Sequence, residues 1–155
     1  MVRVLFVCSG NTCRSPMAKV ILEEKLKEEG LSGNFKVDSA ACDSPSGSMA
    51  NPNGRKAITK MFGQDILADH HPKKINRNLV EEANIILVMC KDMKQGLPPN
   101  KTWTLKEYAG QSGDISDPFG TDLKTYLRCA NELSATIETI IPKLKSISVN
   151  DMKSH

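Results

Sequence analysis

The sequence predicts an α/β protein: a single domain of three layers, in which helices cover both faces of a parallel sheet of about four strands. Three observations carry this expectation. Short apolar runs alternate along the chain with longer segments whose apolar residues recur at helical spacing. The run Ile85-Ile86-Leu87-Val88-Met89 has no polar interruption, as in a parallel strand covered on both faces. With 155 residues, 39% hydrophobic and 25% charged, the chain has the length and composition of one globular domain with its own core. That domain is expected to span residues 1–147, leaving 148–155 as a polar C-terminal tail.

The elements follow in order. Residues 2–7, rich in β-branched side chains and too short for a helix, read as a buried strand. A helix is expected over 16–29: Ser15 suits the N-cap, Pro16 the first helical position, and Met17, Val20, Ile21 and Leu26 recur near helical spacing. Gly30 ends it. Residues 35–40 read as a second strand, and the Ser-, Pro-, Gly- and Asn-rich stretch 42–53 as a long loop. A short helix is expected over 54–62, with Ala57, Ile58 and Met61 apolar, followed by a mixed, polar stretch over 65–78. A helical turn at 79–83 feeds the third strand, 85–89. A short helix at 91–95 and a Pro-containing turn lead to a fourth strand at 102–105. A second long loop covers 110–120. The final helix is expected over 123–144, with Tyr126, Leu127, Leu133, Ile137 and Ile140 or Ile141 inward, and the chain is expected to fray after Ser146.

Composition narrows the function. A net charge of +3 is mild and no dense Lys/Arg run is present, which argues against nucleic-acid binding. The first apolar run contains Arg3 and stops after a few residues, so neither a signal peptide nor a membrane span is expected, and the compartment implied is the cytoplasm. Cys8, Cys13, Cys42, Cys90 and Cys129 form an odd set without metal-ligand clustering. Neither a disulfide framework, a metal site nor a cofactor is expected, and the chain is expected to be a monomer.

The chemistry concentrates between the first strand and the first helix, in Cys8-Ser9-Gly10-Asn11-Thr12-Cys13-Arg14-Ser15. A strand that passes into a helix through a small polar loop aims several backbone N–H groups, and the positive end of the helix dipole, at one point. That point attracts an anion. Arg14 adds a planar fork of donors matched to two oxygens of a phosphate, and Cys8 stands at the loop mouth as a nucleophile. A sulfur facing a phosphate cradle can accept a phosphoryl group by in-line attack. Such a route also needs a proton donor, for which Asp117, in Asp117-Pro118-Phe119-Gly120 at the end of the second long loop, is a candidate; Asp-Pro also commonly starts turns.

The segment from Val7 to Ala18 resembles the signature of the low-molecular-weight protein tyrosine phosphatase family, which includes bacterial protein arginine phosphatases. The resemblance covers nearly the whole chain. It implies a strand order of 2-1-3-4 and a metal-independent phosphatase acting on phosphorylated protein substrates through a phosphocysteine intermediate. It assigns Cys8, Arg14 and Asp117 to catalysis, and Ser9, Gly10, Asn11, Thr12, Cys13 and Phe119 to binding of substrate or a phosphate-like anion. Asn11, Ser15, Ser39 and His70 match a supporting hydrogen-bond network, with His71 the adjacent alternative to His70. A reversible Cys8–Cys13 disulfide, protecting the nucleophile from over-oxidation, is also implied, against a simple packing role for Cys13.

Residues 42–53 contain no aromatic residue, whereas members acting on phosphotyrosine usually carry aromatics beside the pocket. Thr12 stands where tyrosine-specific relatives tend to have Ile and resembles the arginine phosphatases, as do 105–108 and 117–120. Phosphoarginine is therefore favoured over phosphotyrosine as the target. A thiol-dependent arsenate reductase on the same fold needs two further relay cysteines, and only Cys90 is near a suitable position. A phosphoprotein-binding module without turnover has no need for both Cys8 and Asp117.

Overall fold

The computed structural model describes residues 1–45 and 47–153. Its centre is β1 (Val2–Cys8), which pairs in parallel with β2 (Phe35–Ala41) on one side and β3 (Ile85–Val88) on the other. β4 (Thr102–Thr104) lies beyond β3, giving the order 2-1-3-4. The order reverses beside β1, so Cys8 emerges at the carboxyl edge of the sheet where open α/β folds bind ligands. Cys8 lies in register with Ala41.

Alternation along β1 divides the core. Val4, Phe6 and Cys8 face the larger cluster, with Met17, Ile21 and Leu22 of α1 (Arg14–Glu28), Ile58 of α2 (Pro52–Phe62) and Leu133, Ile137 and Ile140 of α5 (Leu123–Lys153). Leu5 and Val7 face a smaller cluster with Ile86, Val88 and the partly buried Leu79 and Val80 of α3 (Arg77–Glu82). Because both faces of β1 and β3 are covered, these strands carry continuous apolar sequence. Truncating a fully buried residue such as Ile137 to alanine costs roughly 2–5 kcal/mol in such a core.

Several boundaries differ from expectation. α1 begins at Arg14, with Cys13 as N-cap and no side chain capping it, so Ser15 lies inside the helix and Pro16 is its third residue. Its other end is as expected: Gly30 is left-handed at φ +70°, and the Leu31 N–H reaches the Leu26 carbonyl (2.8 Å) while the Gly30 N–H reaches Lys27 (3.1 Å). α2 starts at Pro52, capped by the Asn51 side chain, which shortens the preceding loop. β4 stops at Thr104, because Thr104 and Glu107 form a reciprocal capping box that starts a further short helix, α4 (Leu105–Tyr108). The pair Thr104-x-x-Glu107 was the sequence signal for it. α5 continues to Lys153 rather than ending at Leu144; Ile147 packs on the core and Ser148 is buried, so the contact that holds the helix extends past the expected fraying point. Of the expected tail, residues 154–155 lie outside the described residues. No helix among the described residues is long and apolar enough to cross a membrane.

Candidate active site

β1 delivers Cys8 to the sheet edge, and the chain turns through residues 9–13 into α1. The turn is made possible at Asn11, whose φ of +56° is the one positive value at a non-glycine among the described residues. Asparagine tolerates this region because its short amide can bond locally. Fully buried, that amide donates from Nδ2 to the hydroxyls of Ser15 (2.8 Å) and Ser39 (2.9 Å), while its Oδ1 accepts the Lys73 N–H (3.0 Å). The Asn11 carbonyl meets Nε2 of His70 at 2.8 Å. His71 is exposed.

The network thus brings together Asn11, Ser15, Ser39 and His70, and it ends on the nucleophile candidate: Ser15 Oγ lies 2.9 Å from Cys8 Sγ. Ser15 does not cap the helix as its sequence position suggested. Its hydroxyl turns inward, and Cys13, the N-cap residue, makes no side-chain cap at the start of α1, where the positive end of the helix dipole lies. Burial pushes the His70 imidazole below its ordinary pKa, more than the bond to the Asn11 carbonyl raises it. His70 therefore enters the network as neutral imidazole, donating from Nε2.

Arg14, only 2% exposed, is held from several directions. Nη1 donates to the Ile115 carbonyl (2.8 Å) and to Cys90 Sγ (3.0 Å), and Nη2 donates to Ser9 Oγ (3.3 Å). Nε is buried and has no partner, so one edge of the fork keeps a donor uncommitted. Burial works against the charge, but Asp117 and the sulfurs of Cys8 and Cys90 outweigh it and hold the guanidinium above its ordinary pKa.

Asp117 reaches the same point from the long loop after α4. Its Oδ2 lies 3.5 Å from Arg14 Nη2, and Oδ1 accepts the Phe119 N–H at 3.0 Å, an Asx turn that sets the direction of the side chain. The loop is anchored behind it by Ile115, whose N–H bonds the Met89 carbonyl at the end of β3 (2.9 Å). A pocket of about 230 Å³ opens between the two loops. Cys8, Ser9, Gly10, Thr12, Cys13 and Arg14 line it from the cradle, and Asp43, Ser44, Asp117 and Phe119 from the surrounding loops. A phosphorylated side chain of modest size fits such a space, with a sulfur, an arginine and a carboxyl group converging on it.

The sequence model of the low molecular weight phosphotyrosine protein phosphatase family matches residues 3–150. The chain belongs to that family. It is 36% identical to a protein-arginine-phosphatase of Bacillus subtilis over 152 residues, covering 92% of this chain and 96% of that one. It is 32% identical over 140 residues to a low molecular weight protein-tyrosine-phosphatase, PtpB, of Staphylococcus haemolyticus, covering 84% and 91%. Among solved structures, a cysteine-to-serine mutant of the YwlE arginine phosphatase with a phosphorylated active-site serine superposes with a TM-score of 0.85 at 32% identity, covering 93% of this chain and 96% of that one.

Every site residue expected for this low molecular weight phosphatase lies in the pocket or in the network behind it. The structure adds others. Asp43 and Ser44 stand where aromatics were missing from the wall; they follow the carboxyl end of β2 after Cys42, and that position beside the switch point was the available signal. Cys90, Ile115 and Lys73 hold the cradle through contacts that no local pattern announces. Behind it, Cys13 Sγ lies 3.2 Å from the Tyr126 hydroxyl of α5. Burial pushes the Cys13 thiol and the Tyr126 phenol up, and takes Cys129 up to about 12. All five cysteines are free.

Proposed function

We propose that this low molecular weight phosphatase dephosphorylates protein side chains through Cys8, with phosphoarginine as the preferred target. The observation that supports the chemistry is the convergence of Cys8, Arg14 and Asp117 on one small pocket whose helix N-terminus is left without a side-chain cap. The cradle N–H groups and Arg14 hold the phosphoryl oxygens and stabilise them as charge redistributes in the transition state. Cys8 sulfur attacks phosphorus in line, forming the S–P bond as the bond from phosphorus to the leaving nitrogen breaks. Asp117 gives its proton to that nitrogen, and the resulting arginine departs.

Water then attacks the phosphocysteine opposite sulfur. Asp117, now a carboxylate, takes the water proton, the S–P bond breaks, and phosphate and the Cys8 thiolate are released. The Ser15 hydroxyl, at 2.9 Å from Cys8 Sγ, is placed to donate to that thiolate as it forms.

Two features support phosphoarginine over phosphotyrosine. Thr12 is one of the residues lining the pocket, and its hydroxyl can match the polar nitrogen of the substrate, which an aliphatic side chain would leave unmatched. The wall at Asp43 and Ser44 lacks an aromatic surface for a phenyl ring. Release of phosphate from a phosphoarginine peptide and a phosphotyrosine peptide, measured in parallel for the parent and Thr12→Ile, tests this. The expected result is a parent preference for phosphoarginine that moves toward phosphotyrosine in the variant. A phosphotyrosine preference in both proteins would overturn the phosphoarginine reading while leaving the phosphocysteine route intact.

A further inference from the structure

Asp43 stands in the pocket wall with no task in the phosphoryl transfer itself. Its placement is nevertheless fixed by the cradle. The Asp43 N–H donates to the Ser9 carbonyl (3.1 Å), and the neighbouring Cys42 N–H donates to the Cys8 carbonyl (2.9 Å), so the chain leaving β2 is tied to the nucleophile loop. Asp43 is exposed and lines the same pocket as Thr12 and Asp117, which puts its carboxylate within the reach of one short side chain of the bound substrate.

A phosphorylated guanidinium presents two kinds of nitrogen. One carries phosphorus and lies deep in the pocket; the other two point outward and carry N–H groups that suit a carboxylate. Asp117 is poorly free to serve them. One of its oxygens accepts the Phe119 N–H and the other faces Arg14, and it must also deliver a proton. The charge that develops differs between substrates as well. Protonation of the leaving nitrogen turns the departing group into a guanidinium cation, whereas phosphotyrosine releases an oxygen that tends toward an anion.

We propose that Asp43 determines specificity, receiving the outer guanidinium N–H groups of phosphoarginine and stabilising the cation as it forms. The same carboxylate opposes the electron-rich phenolic oxygen of phosphotyrosine, so it acts in both directions. This assignment rests on the phosphoarginine reading above.

The test is kcat/KM for the phosphoarginine and phosphotyrosine peptides in the parent, Asp43→Asn and Asp43→Glu. Asp43→Asn is expected to lose about tenfold on phosphoarginine, a 1.4 kcal/mol effect, while phosphotyrosine hydrolysis stays the same or rises. Asp43→Glu, which keeps the charge, is expected to recover most of the phosphoarginine activity. Equal loss on both peptides would mean that Asp43 only shapes the loop, and no loss on either would mean that it meets no substrate; both results overturn the assignment. A parent that prefers phosphotyrosine would overturn the phosphoarginine reading first, and this assignment with it, a result told apart because it appears before any substitution at position 43.

Discussion

The loop at residues 8–15 and the loop at 110–120 supply the two ends of one reaction, and they are held in different ways. In the first, Asn11, Arg14 and Ser15 are almost fully buried, and most of their polar atoms are tied to Ser39, His70, Lys73, Ile115 and one another. In the second, Asp117 is 45% exposed on its side chain and Phe119 57% exposed, with a local turn and the 3.5 Å approach to Arg14 as their contacts. The nucleophile and phosphate cradle must be preorganised to stabilise charge without rearranging. The acid must approach substrates of different size and later a water molecule, so it sits on a loop with little burial. The buried cradle is therefore coupled to stability, and the exposed Asp117 and Phe119 chiefly to turnover.

The strongest way to sharpen that contrast is to remove one reacting group from each half. Cys8→Ser is expected to abolish phosphate release, by on the order of 10⁴-fold or more, because the phosphocysteine route is lost. Asp117→Asn is expected to slow phosphoenzyme formation by about 10²–10³-fold for poor leaving groups and much less for an activated aryl phosphate. Rapid-quench measurement of the first turnover with both substrate types reads this, and equal slowing on the two would remove Asp117 from the acid role. Its stability to thermal unfolding should fall by about 1 kcal/mol or less, since Asp117 is exposed but faces the buried Arg14.

Asn11→Ala should break the contrast from the other side. It strands the hydroxyls of Ser15 and Ser39 and the Lys73 N–H, and places alanine at φ +56°. A stability loss of about 2–4 kcal/mol by denaturant unfolding is expected alongside reduced turnover. Unchanged stability would mean that the cradle is not held by this network.

The smallest effect is the pH dependence from His70. Its folded pKa lies below the unfolded value, so the unfolded chain binds a proton more readily. The stability present above the ordinary histidine pKa of about 6.5 is lost as pH falls toward the depressed folded value. The melting temperature should therefore drop between about pH 7.5 and about pH 5.5, less steeply in His70→Gln than in the parent. Parallel slopes would place the acid sensitivity elsewhere.

The strands and their helices were legible in the sequence because β1, β3 and α5 bury apolar residues at the spacing their geometry requires, and the cradle because its nucleophile, arginine and small polar residues are contiguous. Asp117 was ambiguous from the residues alone, since Asp-Pro serves turns as readily as acids. Ser15 suits a helix cap on local preference, while the family resemblance puts it in the supporting network; its inward hydroxyl is decided by Cys8 and Asn11. Cys90 and Ile115 could not have been found, because their role consists only of where the folded sheet places them against Arg14.

The Ile115 carbonyl that holds Arg14 has a consequence for the order in which the enzyme becomes active. During synthesis the signature emerges early, but the partner of Arg14 follows 101 residues later, and Tyr126, which meets Cys13, follows 113 residues after it. β1 also remains an edge strand until β3 arrives to pair with it. A nascent chain therefore carries its reactive cysteine without the structure that aims it, and activity begins only when the last third of the chain has docked.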